Sequence, residues 1–265
     1  MTPQKSSGRH RRLEIAITQV QRRWGVCALR PLSQAKASPP ALSTGFASLD
    51  QATGIGGFPR GRISELSGPP TSGKTSLALL SAARAQQRGG ICAYFDLGQD
   101  LDPDYARRCG IDLQRFLIVR PPRSAETLTI AVSLVRHQGL QLIVFDARTD
   151  FWPATEAMRR LASDLRLLNM ALSSTPCVAL FLMTDAPNQR PSPALRLPLP
   201  EHSALHLRVV QERWIRQPWR DITGYVAVIV VAKNKLGSPG KRATISVIFN
   251  NIVYGRDGAW DGGRL

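Results

Sequence analysis

The chain has 265 residues, of which 43% are hydrophobic, and this is enough apolar material for one large domain or a domain with a small appendage. It carries 35 Lys and Arg residues against 19 Asp and Glu residues, a formal net charge of +16. A surplus of this size favours a polyanionic partner, nucleic acid before an anionic membrane, although a merely basic protein would show it too. No segment reaches ~18 consecutive apolar residues, so a membrane-spanning helix is excluded.

The cysteines are scattered along the chain without a C-x-x-C pair and without a histidine at metal-ligand spacing (Cys27, Cys92, Cys109 and Cys177). Cys92 and Cys177 lie within apolar, strand-like segments, where cysteine packs as a small hydrophobic residue. Nothing in this spacing indicates a disulfide framework. The pattern therefore predicts a reducing, cytoplasmic compartment.

The first 40 residues are predicted to form a basic helix and a linker. Polar and basic residues occupy positions 1–12, where no regular structure is expected. Apolar residues then recur at helical spacing over Leu13–Trp24, and Ser33–Pro40 is rich in Ser, Ala and Pro. A helix separated from the core by a linker cannot bury its own apolar face. It docks either on its own core or on a neighbouring subunit.

Residues 41–265 are predicted to form one core domain in which strands and helices alternate. The predicted strands are Arg62–Leu66, Ile91–Asp96, Phe116–Val119, Leu142–Asp146 and Val178–Met183; the predicted helices begin at Ser76 and cover Pro103–Cys109, Ala125–His137 and Thr155–Leu172. This alternation predicts an α/β fold with a mostly parallel sheet covered by helices on both faces. Three further strand-like segments, Ala204–Val210, Tyr225–Val231 and Ala243–Phe249, predict an antiparallel extension of that sheet.

The strongest motif is G-x-x-x-x-G-K-[ST], the phosphate-binding P-loop, between the first predicted strand and the first core helix. It covers Gly68, Pro69, Pro70, Thr71, Ser72, Gly73, Lys74 and Thr75, with Ser76 opening the helix. Loop N–H groups and a helix N-terminus favour an anion, the lysine reaches the outer phosphates of ATP, and the threonine hydroxyl suits Mg²⁺. The alternative is a Gly/Ser-rich turn that matches by chance, but the flanking strand and helix argue against it.

Asp146 ends an apolar strand downstream of the P-loop. A lone Asp after a strand is usually an ordinary turn residue. In a P-loop protein, however, this is where the second acidic group of the magnesium site lies. We therefore expect Asp146 to hold Mg²⁺ together with Thr75, directly or through water.

Taken together, these motifs resemble the bacterial RecA recombinase family over nearly the whole core. The matching stretches are Ser43–Gly45, Gly54–Gly61, Gly68–Thr75, Leu101–Arg107, Asp146 and Lys233–Lys235. The resemblance implies a RecA-like fold, with Tyr105 stacking on the adenine and Asp102 hydrogen-bonding to it. It also implies that Lys233 and Lys235 reach the γ-phosphate of a neighbouring protomer, and that the helix Leu13–Trp24 docks on that neighbour. A basic turn after a strand is the alternative for the lysine pair.

The sequence departs from the RecA pattern at places that matter for catalysis and DNA binding. Gly98 stands where the family has the glutamate that activates the attacking water, and Thr184 replaces the glutamine that senses the γ-phosphate. The loop after Asp146 is shorter. The loop Thr184–Ser203, which carries Arg190 and Arg196, has gained five prolines, and we expect the protein to lack the separate C-terminal domain of RecA. We therefore expect weak or absent ATP hydrolysis.

A segment of interleaved arginine and tryptophan has no counterpart in the family pattern: Arg213, Trp214, Arg216, Trp219 and Arg220. Such a segment suits base stacking combined with phosphate neutralisation. It suits a protein–protein contact equally well. A hairpin tip in which tryptophan packs as core is the third possibility.

Two functional hypotheses follow from the resemblance. The first is a RecA-like accessory protein of the ImuA type, which binds ATP, Mg²⁺ and single-stranded DNA and serves SOS-induced mutagenic translesion synthesis beside a polymerase-like partner or a RecA filament. The lost glutamate and altered loops favour it. The second is a compact DNA-dependent ATPase that self-associates and pairs homologous strands in DNA repair and recombination. The retained helix Leu13–Trp24 and the lysine pair favour that one.

Overall fold

The computed structural model describes residues 6–25, 29, 40–146, 157–184, 199–216, 222–248 and 253–255. Its contacts divide the chain into two units, residues 1–38 and residues 39–265. The first unit contains helix α1 (Ser6–Trp24), and the second contains the other described helices and strands.

Helix α1 begins at Ser6, so the prediction that regular structure starts only at Leu13 was wrong. Three of the seven added residues are arginines, whose long unbranched side chains lose little rotamer freedom in a helix. The helix ends at Gly25, whose positive φ of 88° allows its N–H to donate to the Gln21 carbonyl at 2.9 Å. Leu13 and Ile15 are exposed on its surface.

The second unit alternates strands and helices in the predicted order. Its described helices are α2 (Ala47–Thr53), α3 (Lys74–Gln87), α4 (Pro103–Arg108), α5 (Thr127–Arg136), α6 (Ala157–Ser173) and α7 (Leu199–His202). Its described strands are β1 (Ala41–Leu42), β2 (Phe58–Pro59), β3 (Ile63–Gly68), β4 (Ile91–Asp96), β5 (Phe116–Val119), β6 (Leu140–Asp146), β7 (Val178–Thr184), β8 (Leu205–Arg216), β9 (Ile222–Asn234), β10 (Arg242–Ile248) and β11 (Val253–Gly255).

Within the described residues, nine strands form one sheet in the order β11-β10-β9-β8-β3-β7-β6-β4-β5, and β1 pairs with β2 separately. The strands from β8 to β5 in this order run parallel to their neighbours. Strands β9, β10 and β11 then continue the sheet in antiparallel pairing. The predicted fold class, a mostly parallel α/β sheet with an antiparallel end, is confirmed.

Helices cover both faces of the parallel part of the sheet. On one face, the apolar residues of α2 and α3 pack on the side chains of the central strands, including Leu66, Tyr94 and Val144. On the other face, α5 and α6 pack on a second cluster. That cluster contains a stack of Phe95, Phe145 and Phe181, with ring centroids 4.7 and 4.2 Å apart. This two-sided burial explains why the strands appear in the sequence as nearly continuous apolar stretches.

Most predicted element bounds agree with the structure within a few residues, and β4 and β5 have the predicted bounds. The largest difference concerns β8 and β9, which are 12 and 13 residues long because their antiparallel pairing extends to Arg216 and Ile222. Local sequence shows the apolar centre of each strand but not how far a partner extends it. Thr155, the predicted start of the helix before β7, lies outside the described residues.

The Ser43-Thr44-Gly45 motif is held by Asp50 of helix α2. The Asp50 carboxylate accepts hydrogen bonds from the Ser43 hydroxyl at 2.5 Å, and from the Thr44 N–H and hydroxyl at 2.8 Å each. The Thr44 carbonyl in turn accepts from the Ser81 hydroxyl of α3 at 3.1 Å. These bonds connect residues 43–45, near the start of the core domain, with helix α3, which follows the P-loop.

Across the described residues, no helix combines the length and apolar character that crossing a membrane requires.

Candidate nucleotide-binding site

The P-loop joins the carboxyl end of β3 to the first turn of α3. Gly73 and Thr71 have positive φ values of 83° and 60°, and these bend the loop back over the helix N-terminus. A Cβ at Gly68 would lie 2.6 Å from the Val209 carbonyl oxygen of β8, so glycine is required there by close packing. The loop is thus confined between the sheet and the helix.

Lys74 is buried, and its ammonium points back into the loop. It donates to the carbonyl oxygens of Gly68 at 3.0 Å and Pro69 at 2.7 Å, and to the Ser72 hydroxyl at 3.4 Å. A buried ammonium needs such acceptors, because desolvating an unpaired charge is costly. This arrangement places the positive charge inside the ring of loop atoms, where an anionic phosphate would be bound.

The two predicted magnesium ligands lie side by side. The Thr75 hydroxyl donates to Asp146 Oδ2 at 3.3 Å, and the Tyr94 hydroxyl donates to the same oxygen. Burial raises the pKa of Asp146 above its usual range, while the hydrogen bonds from Tyr94 and Thr75 act in the opposite direction. A hydroxyl and a carboxylate are the hard oxygen ligands that Mg²⁺ prefers, so these side chains fit the ion.

Protein side chains alone do not complete a metal site here. Among the described residues, no three His, Cys, Asp or Glu side chains lie close enough together to hold a metal ion. Mg²⁺ in phosphate-binding sites commonly takes one or two protein oxygens and completes its coordination with phosphate oxygens and waters. The pair Thr75 and Asp146 has that character, and a bound nucleotide would supply the phosphate oxygens.

A second carboxylate, Asp96, lies beside Asp146 at the end of the neighbouring strand, since the two residues are paired in the β4–β6 register. Asp96 is only 3% exposed, and its Oδ2 accepts from Nε and Nη2 of Arg120 at 3.0 and 2.7 Å. Its Oδ1 accepts from the Asp100 N–H at 3.0 Å. Because Arg120 and the turn engage both oxygens, Asp96 is held in place by the protein itself.

The turn after β4 contains the position at which the family has its glutamate. Gly98 occupies that position, and the next two residues, Gln99 and Asp100, are exposed. Gln99 has a positive φ of 56°, which directs the chain into the hydrogen bond between Asp100 and Asp96. Asp100 is thus an exposed carboxylate of this turn, and its N–H donates to Asp96.

Of the two residues expected to contact adenine, Tyr105 lies beside the P-loop helix and Asp102 caps a neighbouring helix. The Tyr105 hydroxyl hydrogen-bonds the Ser76 hydroxyl at 2.5 Å, which ties α4 to the first turn of α3. Asp102 is the N-cap of α4, where its Oδ1 accepts from the Asp104 N–H at 2.9 Å. The structure thus brings Tyr105 next to the nucleotide loop, whereas Asp102 is exposed and acts as a helix cap.

Lys233 and Lys235 lie at the carboxyl end of β9 and contact helix α7. Lys233 Nζ donates to the Pro200 carbonyl, and Lys235 Nζ donates to the Glu201 carbonyl at 2.9 Å. Burial, followed by the charge of Lys235, lowers the pKa of Lys233. Between them, Asn234 donates to the Thr53 carbonyl at 2.8 Å, so the segment is fixed at its centre and carries a lysine on either side.

The Arg/Trp segment is only partly described. Trp214 and Arg216 lie near the end of β8, and Trp214 is 43% exposed, so its ring is not packed as core. Arg213 belongs to the same strand, but its side chain is outside the described part of the protein. Four other predicted contact residues also lie outside it: Arg190, Arg196, Trp219 and Arg220.

The sequence-family model that describes the RecA N-terminal domain matches residues 11–183 of this chain. This range contains the P-loop, Tyr94, Asp96 and Asp146. The chain belongs to the RecA family. The predicted resemblance to RecA is thereby confirmed at the level of the family.

The chain is similar in sequence to RecA proteins of several bacteria. RecA of Agrobacterium fabrum is 31% identical, with 94% of this chain and 74% of that protein aligned. RecA of Acidothermus cellulolyticus is 33% identical, with 95% of this chain and 78% of that protein aligned. The crystal structure of the RadB recombinase superposes with a TM-score of 0.62 over 80% of this chain and 98% of that one; at 23% identity, this shows the shared RecA-like fold alone.

The sequence did not reveal two contributors to this site, the Tyr94 hydroxyl and Arg120. A signal was present for Tyr94, because alternation along β4 places it on the same face as Asp96. Its contact with Asp146 depends on the β4–β6 register, which a single sequence does not show. Arg120 follows an edge strand with no motif around it, so only the structure identifies it as the partner of Asp96.

Proposed function

We propose that this RecA-family chain binds ATP with Mg²⁺ and binds DNA, hydrolyses ATP weakly if at all, and serves DNA repair as an ImuA-type accessory to translesion synthesis. The observation that supports this proposal is the geometry of the P-loop combined with a glycine in the turn after β4. Lys74 donates to the loop carbonyls and Thr75 donates to Asp146, while position 98 is glycine.

The missing carboxylate supports binding without efficient turnover. General-base assistance typically accelerates a reaction by ~10²–10⁴-fold, and Gly98 supplies none. Asp96 does not take over that role, because Arg120 and the Asp100 N–H engage its two oxygens. A nucleotide would then act as a bound ligand that favours one assembly state of the protein, and its hydrolysis would contribute little.

The partners follow from charge and from the retained surfaces. A net charge of +16 supports binding to single-stranded DNA. Helix α1 and the lysine pair are the features that support self-association or docking on a RecA filament. A polymerase-like partner is the further contact that an accessory in SOS-induced translesion synthesis requires.

The alternative is a compact DNA-dependent recombinase. Lys233 and Lys235 favour it, since both ammonium groups are ordered at one strand end and could reach a neighbouring nucleotide as bridging cations. ATPase rates with and without single-stranded DNA, together with a three-strand exchange assay, separate the two hypotheses. We expect slow hydrolysis and little exchange product. Efficient ATP-dependent exchange by the purified protein alone would replace the accessory hypothesis with the recombinase one.

A further inference from the structure

Tyr94 is a fully buried residue of β4 whose hydroxyl reaches the carboxylate of the magnesium site. Its ring packs against Phe116 with centroids 5.8 Å apart, and its hydroxyl donates to Asp146 Oδ2. The phenol hydroxyl is therefore a buried hydrogen-bond donor to this carboxylate.

The hydrogen bond from Tyr94 influences which oxygen of Asp146 is available to a metal ion. Both Thr75 and Tyr94 donate to Oδ2, so both donors hold the same side of the carboxylate. If Mg²⁺ took the Thr75 oxygen, Tyr94 would still donate to Oδ2. No hydrogen bond from the described residues reaches Oδ1, so this oxygen would be open to the ion or to one of its waters.

The position of Tyr94 in the core fixes its hydroxyl against the Asp146 carboxylate. The β4–β6 register pairs Tyr94 with Val144 and Asp96 with Asp146, so the phenol comes from the adjacent strand on the same face of the sheet. Its ring is enclosed by the core cluster that also contains Leu77 of α3. A donor fixed by packing loses little entropy when it orients another group.

We propose that Tyr94 is a positioning residue of the magnesium site, which holds the Asp146 carboxylate in the orientation that couples Mg²⁺ binding to nucleotide binding. This inference rests on the ATP and Mg²⁺ binding proposed above. Groups that orient a metal ligand typically account for 10–100-fold in metal affinity. Removing the hydroxyl while keeping the ring should therefore weaken the metal-dependent part of nucleotide affinity and leave the metal-independent part unchanged.

The test is Tyr94→Phe, with ADP as the probe. Calorimetry gives the Kd of ADP in excess EDTA and the Kd in saturating Mg²⁺, and their ratio measures how much the metal tightens binding. We expect this ratio to fall about tenfold in Tyr94→Phe, with the Kd in EDTA unchanged. A second measurement titrates the ADP complex with Mn²⁺ and follows the electron paramagnetic resonance signal of free Mn²⁺. It should show a similar decrease in metal affinity in Tyr94→Phe, and it does not depend on ATP hydrolysis.

A double-mutant cycle with Asp146→Asn is the matched control. If Tyr94 acts through Asp146, Tyr94→Phe should have no further effect on the ratio in the Asp146→Asn background. A wild-type ratio in Tyr94→Phe, a change shared equally by both Kd values, or a further loss in the Asp146→Asn background would overturn the proposal. If the wild-type protein itself shows no tightening by Mg²⁺, the proposed magnesium binding fails first, and this inference fails with it.

A measurement on the wild-type chain covers the case in which Tyr94→Phe does not fold. The chain contains four tyrosines, so a carbon-13 NMR spectrum of protein labelled at tyrosine Cζ should contain few signals. The Tyr94 signal can be assigned by changing each of the other three tyrosines to Phe in turn. The Tyr94 signal should move when Mg²⁺ is added to the ADP complex. A signal that does not respond to the metal would contradict the proposal.

Discussion

At the scale of single residues, the site is organised by a few charged groups whose partners are now defined. The Lys74 ammonium donates hydrogen bonds to loop carbonyls, and the Asp96 carboxylate is neutralised by Arg120. Asp146 is left as the carboxylate that faces Thr75. Each of these groups therefore has one main role, and substitutions can test the roles separately.

Lys74→Ala should weaken ATP binding about 10–100-fold, because hydrogen bonds to charged groups contribute ~1.5–3 kcal/mol. The measurement is calorimetric titration with ATP and Mg²⁺. Lys241→Ala removes an exposed lysine outside the P-loop and serves as the matched control. Equal affinity in wild type and Lys74→Ala would remove the main support for nucleotide binding at this loop.

Arg120→Ala should lower the free energy of unfolding by about 2 kcal/mol, because it leaves the buried Asp96 carboxylate without its cation. Arg120 is itself 47% exposed, so solvent reduces the cost below that of a fully buried pair. Urea unfolding measures it. Arg123→Ala, which breaks the surface pair with Glu126, should cost less than about 1 kcal/mol. If both variants lost the same free energy of unfolding, the Asp96–Arg120 pair would contribute no more to stability than a surface ion pair.

At the scale of elements, two connections determine how the core is tied together. The turn at Ser43–Gly45 is fixed to α2 by Asp50 and to α3 by Ser81. On the other side of the P-loop, β8 pairs with β3 at its start and continues as a ribbon with β9 that exposes Trp214 near its end.

The Asp50 connection predicts a specific pH dependence of stability. Burial raises the pKa of Asp50 above 3.8, and the bonds from Ser43 and Thr44 only partly oppose it. The folded state therefore binds the proton more tightly than the unfolded state. The contribution of Asp50 to stability is largest at low pH, and it falls as pH rises through the window just above 3.8. The difference in unfolding free energy between wild type and Asp50→Asn isolates this residue, and a difference that rises with pH in that window would contradict the sign.

The exposed Trp214 distinguishes the alternatives for the Arg/Trp segment. If bases stack on it, Trp214→Ala should reduce affinity for single-stranded DNA by ~1–3 kcal/mol with little change in salt dependence. Arg216→Ala should instead make the slope of log K against log salt shallower by about 0.7. Fluorescence anisotropy with a labelled oligonucleotide at several salt concentrations measures both. Wild-type DNA binding in both variants would favour a protein partner for this segment.

At the scale of the whole molecule, charge is the dominant property. The described antiparallel end carries several exposed basic residues (Arg208, Arg216, Lys235, Lys241 and Arg242). They come from strands and turns that are distant in the chain and adjacent in the sheet. RecA-family proteins bind DNA, and this distribution of charge supports the DNA binding proposed above for this chain.

Binding to single-stranded DNA should therefore be independent of sequence and strongly dependent on salt. Each phosphate neutralised contributes a slope of about −0.7 in log K against log salt. Titrations of unrelated oligonucleotides from low to physiological salt should give parallel lines with a clearly negative slope. An affinity that does not change over this range would show that the +16 charge serves another purpose.

The sequence by itself determined the fold class and the family, and it located the P-loop motif and the pair Thr75 and Asp146 that we propose for Mg²⁺. These features are encoded locally, because apolar periodicity, glycine spacing and short motifs lie within a few adjacent residues. Strands β4 and β5 could be delimited for the same reason, since both are short apolar segments bounded by polar residues.

Only the tertiary structure decided which side chains meet. Thr75 and Asp146 are 71 residues apart in sequence, and Tyr94 and Asp146 are 52 apart. Their contacts depend on the order of β3, β7, β6 and β4 and on the β4–β6 register, which arise when many weak contacts pack together. A shift of one residue along β4 would turn Tyr94 and Asp96 to the opposite face of the sheet. For this reason Tyr94, which donates to Asp146, and Arg120, which neutralises Asp96, became visible only in the folded chain.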